Sequence, residues 1–209
     1  MSQMPTIPQE VKKPEENKET EPKKSILKQC FESFIWLAVI LFVIDVLTKV
    51  AAYYNLPYQT TVKVSGFEWL FQLTLTFNTG AAFGAGGDNM VARILLCFAS
   101  YAVAIFIIVY FIKKQKTLTK FLKAIMMVIL AGDVGNLIDR TFSFMTNLPT
   151  IYAKGVIDFI DITPIIPNFG IFNFADSCLC VGIFLLIVYE VVEMIRDDLK
   201  KKSPKKDEK

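Results

Sequence analysis

Four apolar runs organise the chain. The first covers residues 31–54 and is interrupted by Asp45 and Lys49. The second, residues 94–112, is 19 residues long and carries no charge. The third begins at Phe121, holds Asp133 and closes at Asp139. The fourth, residues 171–195, has Asp176 near its start and Glu190 and Glu193 near its end. A helix rises about 1.5 Å per residue and the hydrocarbon core of a bilayer is about 30 Å thick, so each run is long enough to cross. The pattern predicts an all-α membrane protein with spans at about 31–54, 94–112, 121–139 and 171–195. Between the first two spans, Leu73-Thr74-Leu75-Thr76-Phe77 alternates with period two and predicts a short strand. It leads into Asn78-Thr79-Gly80-Ala81-Ala82-Phe83-Gly84, whose small residues permit tight turns and a loop able to close over a site. Residues 155–162 are too apolar for a free loop. They predict contact with the bilayer surface or packing over helix ends.

The ends of the chain differ in character. Residues 1–29 are polar and contain Pro5, Pro8, Pro14 and Pro22. They predict a disordered tail, and they lack the apolar core of a secretory signal. Residues 197–209 predict a second, charged tail, leaving 30–196 as one membrane domain.

Charge sets the orientation. Of the 23 Lys and Arg residues, 18 lie in the N-terminal tail, the connection between spans two and three, and the C-terminal end. Only Lys49, Lys63, Arg93, Arg140 and Lys154 fall on the other side. Basic residues stay on the cytoplasmic side, so both termini are expected there and the connections 55–92 and 140–170 face outward. The net charge of +3 does not argue for a nucleic-acid partner. The chain has no His, which excludes Ser-His-Asp and Cys-His nucleophilic systems and HExxH zinc sites. Its four Cys show neither a CxxC nor a zinc spacing and suit apolar packing. No metal or other cofactor is expected.

An ionisable group inside a membrane is costly and therefore a functional candidate. With this orientation Asp45, Asp139, Asp158 and Asp176 all fall near the outer surface. Asp45 and Lys49 are i, i+4 and predict a structural ion pair. Gly132, Asn136 and Asp139 share one face of span three, within about 60°. Asn173 and Asp176 are i, i+3 on span four. Asn136 and Asn173 also fit as polar glue between helices, and Asp139-Arg140 as a structural pair. Asp158 fits a plain loop and Asp176 a helix N-cap. The alternative for the last two is chemistry. Two close carboxylates cannot both ionise, so one would take a proton from water while the other polarises a carbonyl, the logic of an aspartic peptidase.

Five short motifs decide between these readings: IDVLTK (44–49), FNTGAAFG (77–84), GNLIDR (135–140), VIDF (156–159) and FNFADS (172–177). In this order, on four spans, they resemble the prolipoprotein signal peptidase family, the type II signal peptidases of bacteria. The resemblance covers residues 36–190. It implies an aspartic endopeptidase of the plasma membrane with its site near the extracytoplasmic face. The implied substrate is a prolipoprotein, cut on the N-terminal side of a diacylglyceryl cysteine. By motif, Asp158 and Asp176 are the implied catalytic pair. Asn136, Asp139, Arg140 and Asn173 resemble supporting or substrate-binding groups, as does Asn78, while Asp45 and Lys49 match positions that stabilise the structure or hold substrate. The resemblance further implies a small extracytoplasmic β-cradle and an amphipathic helix from segments 62–83 and 140–170, a monomer in contact with membrane lipid, and inhibition by globomycin. One departure stands out. The family usually has a small residue where this chain has Asp133.

Other classes fit less well. A transporter or proton channel would stagger its carboxylates through the membrane depth, and here they gather at one level apart from Asp133. An inactive scaffold would tolerate loss of Asp158 or Asp176, and both are present. A Ser/Lys peptidase built on Ser177 lacks a nearby Lys.

Overall fold

A computed structural model of the chain describes residues 31–80, 89–144, 151 and 154–202. The elements run α1 (Ile35–Asn55), β1 (Thr61–Lys63), β2 (Gln72–Asn78), α2 (Met90–Lys114), α3 (Lys120–Ser143), β3 (Val156–Asp161) and α4 (Phe174–Lys202). All four helices are long and apolar enough to cross a membrane. Their outward faces carry large exposed apolar side chains, among them Phe98, Phe106 and Phe184, as lipid-facing helices should.

Helix boundaries have local causes. Phe34 sits at φ 60° and breaks the helix just before α1. Asn89 caps α2, its Oδ1 accepting the amides of Val91 and Ala92 at 2.9 and 3.3 Å. Thr119 caps α3 through the Leu122 amide at 3.1 Å. The fourth apolar run begins at residue 171, yet α4 starts only at Phe174. Residues 171–173 are occupied otherwise, because Phe172 pairs with Ile160 through backbone hydrogen bonds of 2.8 and 3.0 Å. At its other end α4 continues through 197–202, a stretch expected to begin the charged tail. Arg196 pairs with Glu193 at 2.6 Å and Lys200 with Asp197 at 3.5 Å along this extension. The expected disordered segment 1–29 lies outside the described residues, as does 203–209.

α3 is the central helix. More than half of its apolar stretch is covered by protein, against 11–22 % in the other three. It packs on α4, α1 and α2. Glycines permit the close crossings. A Cβ on Gly132 would lie 2.5 Å from the Ala175 carbonyl oxygen, and one on Gly182 would lie 2.5 Å from Ile129 Cγ1.

The sheet has the order β1-β2-β3, antiparallel throughout. The predicted strand 73–77 lies within β2. β3 was expected only as an apolar connection. It packs over the ends of α1 and α3 as a strand, with Val156, Ile157, Asp158 and Phe159 all buried. Register between β2 and β3 slips by one residue between Leu73 and Thr76, the mark of a bulge. Of the segment 140–170 expected to supply an amphipathic helix, residues 145–150, 152 and 153 lie outside the described residues. The rest forms the end of α3, β3 and turns.

Two apolar clusters bracket the bundle. Ile107, Phe111, Ile125, Met126, Met127 and Ile129 fill the half away from the sheet. Ala52, Leu75, Ile157 and Phe159 fill the space beneath it. The buried Asp45 and Lys49 of α1 and Asn136 and Asp139 of α3 lie between them.

Gly132→Ala should destabilise the protein by about 1–3 kcal/mol, because the new methyl group meets backbone that cannot rotate aside. Denaturant unfolding in detergent measures this. An unchanged midpoint would mean that α3 and α4 do not pack this closely.

Candidate active site

The polar layer is built around one ammonium group. Lys49 Nζ lies 2.8 Å from Asp45 Oδ2 and 2.9 Å from Asp139 Oδ2, with all three side chains at most 2 % exposed. It also donates to Asn136 Oδ1 at 3.3 Å and to the Gly135 carbonyl at 3.4 Å. Gly135 must lack a side chain, because a Cβ there would lie 2.6 Å from Asp45 Oδ2. The two carboxylates reach on to backbone. Asp45 Oδ1 accepts the Ala175 amide of α4 at 2.9 Å, and Asp139 Oδ2 accepts the Ile157 amide of β3 at 3.3 Å. One ion cluster thus ties α1, α3, α4 and β3 together. Sequence reasoning paired Lys49 with Asp45 alone. Its second carboxylate lies on another helix, which i, i+4 spacing cannot show.

Two further carboxylates sit at the anchored elements. Asp158 is in the middle of β3 and 1 % exposed. Asp176 is in the first turn of α4, where a reciprocal capping box holds it. Asn173 Oδ1 accepts the Asp176 amide at 3.0 Å, and Asp176 Oδ2 accepts the Asn173 amide at 3.1 Å. Asn136 Nδ2 donates to Asp176 Oδ1 at 2.8 Å. Asn173 Nδ2 donates to Asp158 Oδ1 at 2.7 Å and to Asn136 Oδ1 at 3.0 Å. Asn173 therefore touches both acids, and the Phe172 pairing with β3 puts it there. Asn78, at the end of β2, also hydrogen-bonds Asp158. Its Oδ1 accepts the Gly80 amide at 2.9 Å. Most of the expected lid, residues 81–88, lies outside the described residues.

Burial, and after it the negative charge of Asp176, push the Asp158 carboxyl up to about 7. Hydrogen bonds from Asn78 and Asn173 and the charge of Lys49 act against this rise. Asp161, three residues on, behaves differently. Burial acts to raise it, but hydrogen bonds from Thr163, Gln72 and Thr74 outweigh burial and hold it below the usual carboxylate range. Asp161 is a strut of the sheet.

Both Asp158 and Asp176 border an open groove of about 650 Å³. Its walls are chiefly apolar and include Leu96, Ile162, Phe169 and Leu179. Arg140 borders it too, with Nη1 donating to Ser100 Oγ at 3.4 Å. Asp133 lies off the pair, buried on the α2 side beside Ser100. Sequence reasoning gave Ser100 no role. It also missed Arg93, whose Nη2 donates to Ser143 Oγ at 3.1 Å and whose guanidinium lies over the Phe144 ring. A lone Arg at the edge of an apolar run was the available signal.

Comparison with known proteins matches this arrangement to one family. The profile for Signal peptidase (SPase) II matches residues 37–192. The chain belongs to the signal peptidase II family. It is 35 % identical to a lipoprotein signal peptidase of Coxiella burnetii over 158 residues, 75 % of this chain and 88 % of that protein. It is 31 % identical to the lipoprotein signal peptidase of Bacillus subtilis over 170 residues, covering 81 % and 97 %. A solved bacterial membrane enzyme superposes with a TM-score of 0.62 at 26 % identity, covering 91 % of this chain and 99 % of that one. As a member of the signal peptidase II family, this chain is a bacterial membrane protein and an aspartic peptidase that removes signal peptides from prolipoproteins.

Lys49→Met should cost about 3–5 kcal/mol, because it leaves Asp45 and Asp139 buried without a countercharge. Thermal unfolding in detergent reads the loss. Full retention of stability would mean that the two carboxylates are not held by this ammonium.

Proposed function

We propose that Asp158 and Asp176 are the catalytic pair, and that the chain cuts the peptide bond on the N-terminal side of a diacylglyceryl cysteine. The observation that carries this reading is Asn173, which holds two acids from different elements at the edge of one apolar groove. Such a groove suits a signal-peptide helix and the acyl chains beside its cleavage site. The polar groups at its edge suit the peptide backbone, with Asn78, Asn136, Asp139, Arg140 and Asn173 as binding or supporting groups. Prolipoprotein and membrane lipid are the partners, and the chain acts as a monomer without a cofactor.

The two acids have different roles. Asp176 accepts N–H bonds on both oxygens at the positive end of a helix dipole, which suits the ionised member. Asp158 is the protonated member, in line with its raised value. Asp176 takes a proton from water, and the resulting hydroxide attacks the scissile carbonyl carbon. Asp158 donates to the carbonyl oxygen as negative charge develops there. As the tetrahedral intermediate collapses, Asp176 passes its proton to the leaving amine and Asp158 recovers its own.

The distribution of Lys and Arg supports cytoplasmic termini, which puts this site under the extracytoplasmic surface. Substrate then enters sideways from the bilayer.

The test is cleavage of a diacylglyceryl-modified prolipoprotein by the purified chain, with and without globomycin. Cleavage before the lipidated cysteine, blocked by globomycin, is the expected result. Asp158→Asn and Asp176→Asn should each abolish turnover in folded protein, and a variant that still turns over is not part of the pair. Raising the pH through about 7 strips the proton from Asp158, so kcat/KM should fall on the alkaline side. A rate that keeps climbing there would overturn the assignment of the proton.

A further inference from the structure

Arg140 presents a charge problem that the peptidase pair does not solve. Its guanidinium borders the groove, and its Nε is buried with no partner among the described residues. The bundle's buried Lys49 already takes Asp45 and Asp139. Among the described residues, no carboxylate lies within ion-pair distance of Arg140. A cation among apolar helices needs a countercharge close by.

Among the described residues, Asp133 is the one buried acid of the helices that this network leaves over. It is 5 % exposed, and its Oδ2 is buried with no hydrogen-bond partner among the described residues. Asp133 and Arg140 are seven residues apart on α3, two turns along nearly the same face. That separation is about 10 Å along the axis, too long for direct contact of the backbones' neighbours but not for long side chains. Helical side chains lean toward the N-terminus, so Arg140 reaches back toward Asp133. Ser100 of α2 fills the interval. Arg140 Nη1 donates to Ser100 Oγ at 3.4 Å, and the Ser100 hydroxyl hydrogen-bonds Asp133. The donor sequence is consistent along the whole line, from guanidinium to hydroxyl to carboxylate, and such chains reinforce each member.

We propose that Asp133, through Ser100, is a positioning residue that holds the Arg140 guanidinium at the groove and so sets how tightly substrate is bound. This rests on the proposed cleavage reaction and deepens it. The held guanidinium offers its free N–H donors to carbonyl oxygens of the peptide next to the scissile bond. Where a small residue stands at position 133, an arginine at position 140 has no such anchor on its own helix. Asp133 does not touch the reacting atoms, so its effect should appear in binding, with chemistry largely spared.

A double-mutant cycle on the full chain in detergent tests this, using the diacylglyceryl prolipoprotein and wild type, Asp133→Ala, Arg140→Ala and the double variant. Asp133→Ala should raise KM about tenfold with a smaller change in kcat, and should add nothing once Arg140 is absent. Ser100→Ala should reproduce the rise in KM. Asp133→Asn keeps the shape and removes the charge, so it serves if the alanine variant does not fold, and it too should raise KM. Equal loss from Asp133→Ala in both backgrounds, or a lowered unfolding temperature with KM unchanged, would overturn the proposal and leave Asp133 as helix glue. Wild-type protein that does not cleave at all would overturn the reaction itself, and this inference with it.

Discussion

The burial of the Lys49 ammonium governs the rest of the molecule. A lone ammonium in a lipid-embedded bundle is far too costly to keep charged, and a lone carboxylate equally so. Lys49 stands between Asp45 and Asp139, and both carboxylates spend their remaining oxygens or lone pairs on backbone amides of α4 and β3. The amides are those of Ala175 and Ile157, each the immediate neighbour of a candidate catalytic acid. The ion cluster thereby locates Asp176 and Asp158 without touching either. Removing Lys49 would strand two carboxylates, and removing either carboxylate would strip a backbone amide of its acceptor, so the cluster acts as a unit.

The surroundings reinforce that unit. One apolar cluster lies beneath the sheet and another fills the far half of the bundle, so the polar layer has low-dielectric material on two sides. Charges and hydrogen bonds are stronger in such surroundings than in water. The same surroundings hold the Asp158 carboxyl up near 7, where it can keep a proton beside Asp176. The third boundary is the groove, whose walls are chiefly apolar.

Much of the fold was legible from run length alone. Four uncharged or nearly uncharged stretches became four helices, and alternation between Leu73 and Phe77 marked β2. β3 was not legible as a strand, because it is buried on both faces and shows no period-two signal, while Asp158 and Asp161 interrupt its apolar run. In the site, residue types and motif order singled out Asp158 and Asp176. The link between Lys49 and Asp139 was hidden, since it joins two helices through space. The amides of Ile157 and Ala175 were hidden for another reason: every residue but proline has one, so sequence cannot say which will be used. Ser100 looked like an ordinary small residue of a lipid-spanning run, and only the packing of α2 against α3 brings it to Arg140 and Asp133.

The capping box at the start of α4 has a consequence for where substrates are cut. Asp176 is at once the residue that closes the first turn of the helix and one of the two acids at the groove. The helix cannot begin at another residue without carrying the acid away from Asn136 and Asp158. On the proposed assignment of Asp176 to the catalytic pair, the depth of hydrolysis in the bilayer is measured from a helix end, as a rule is read from its zero mark. On that reading a substrate is selected first by whether its scissile bond arrives at that depth, and only then by the side chains around it.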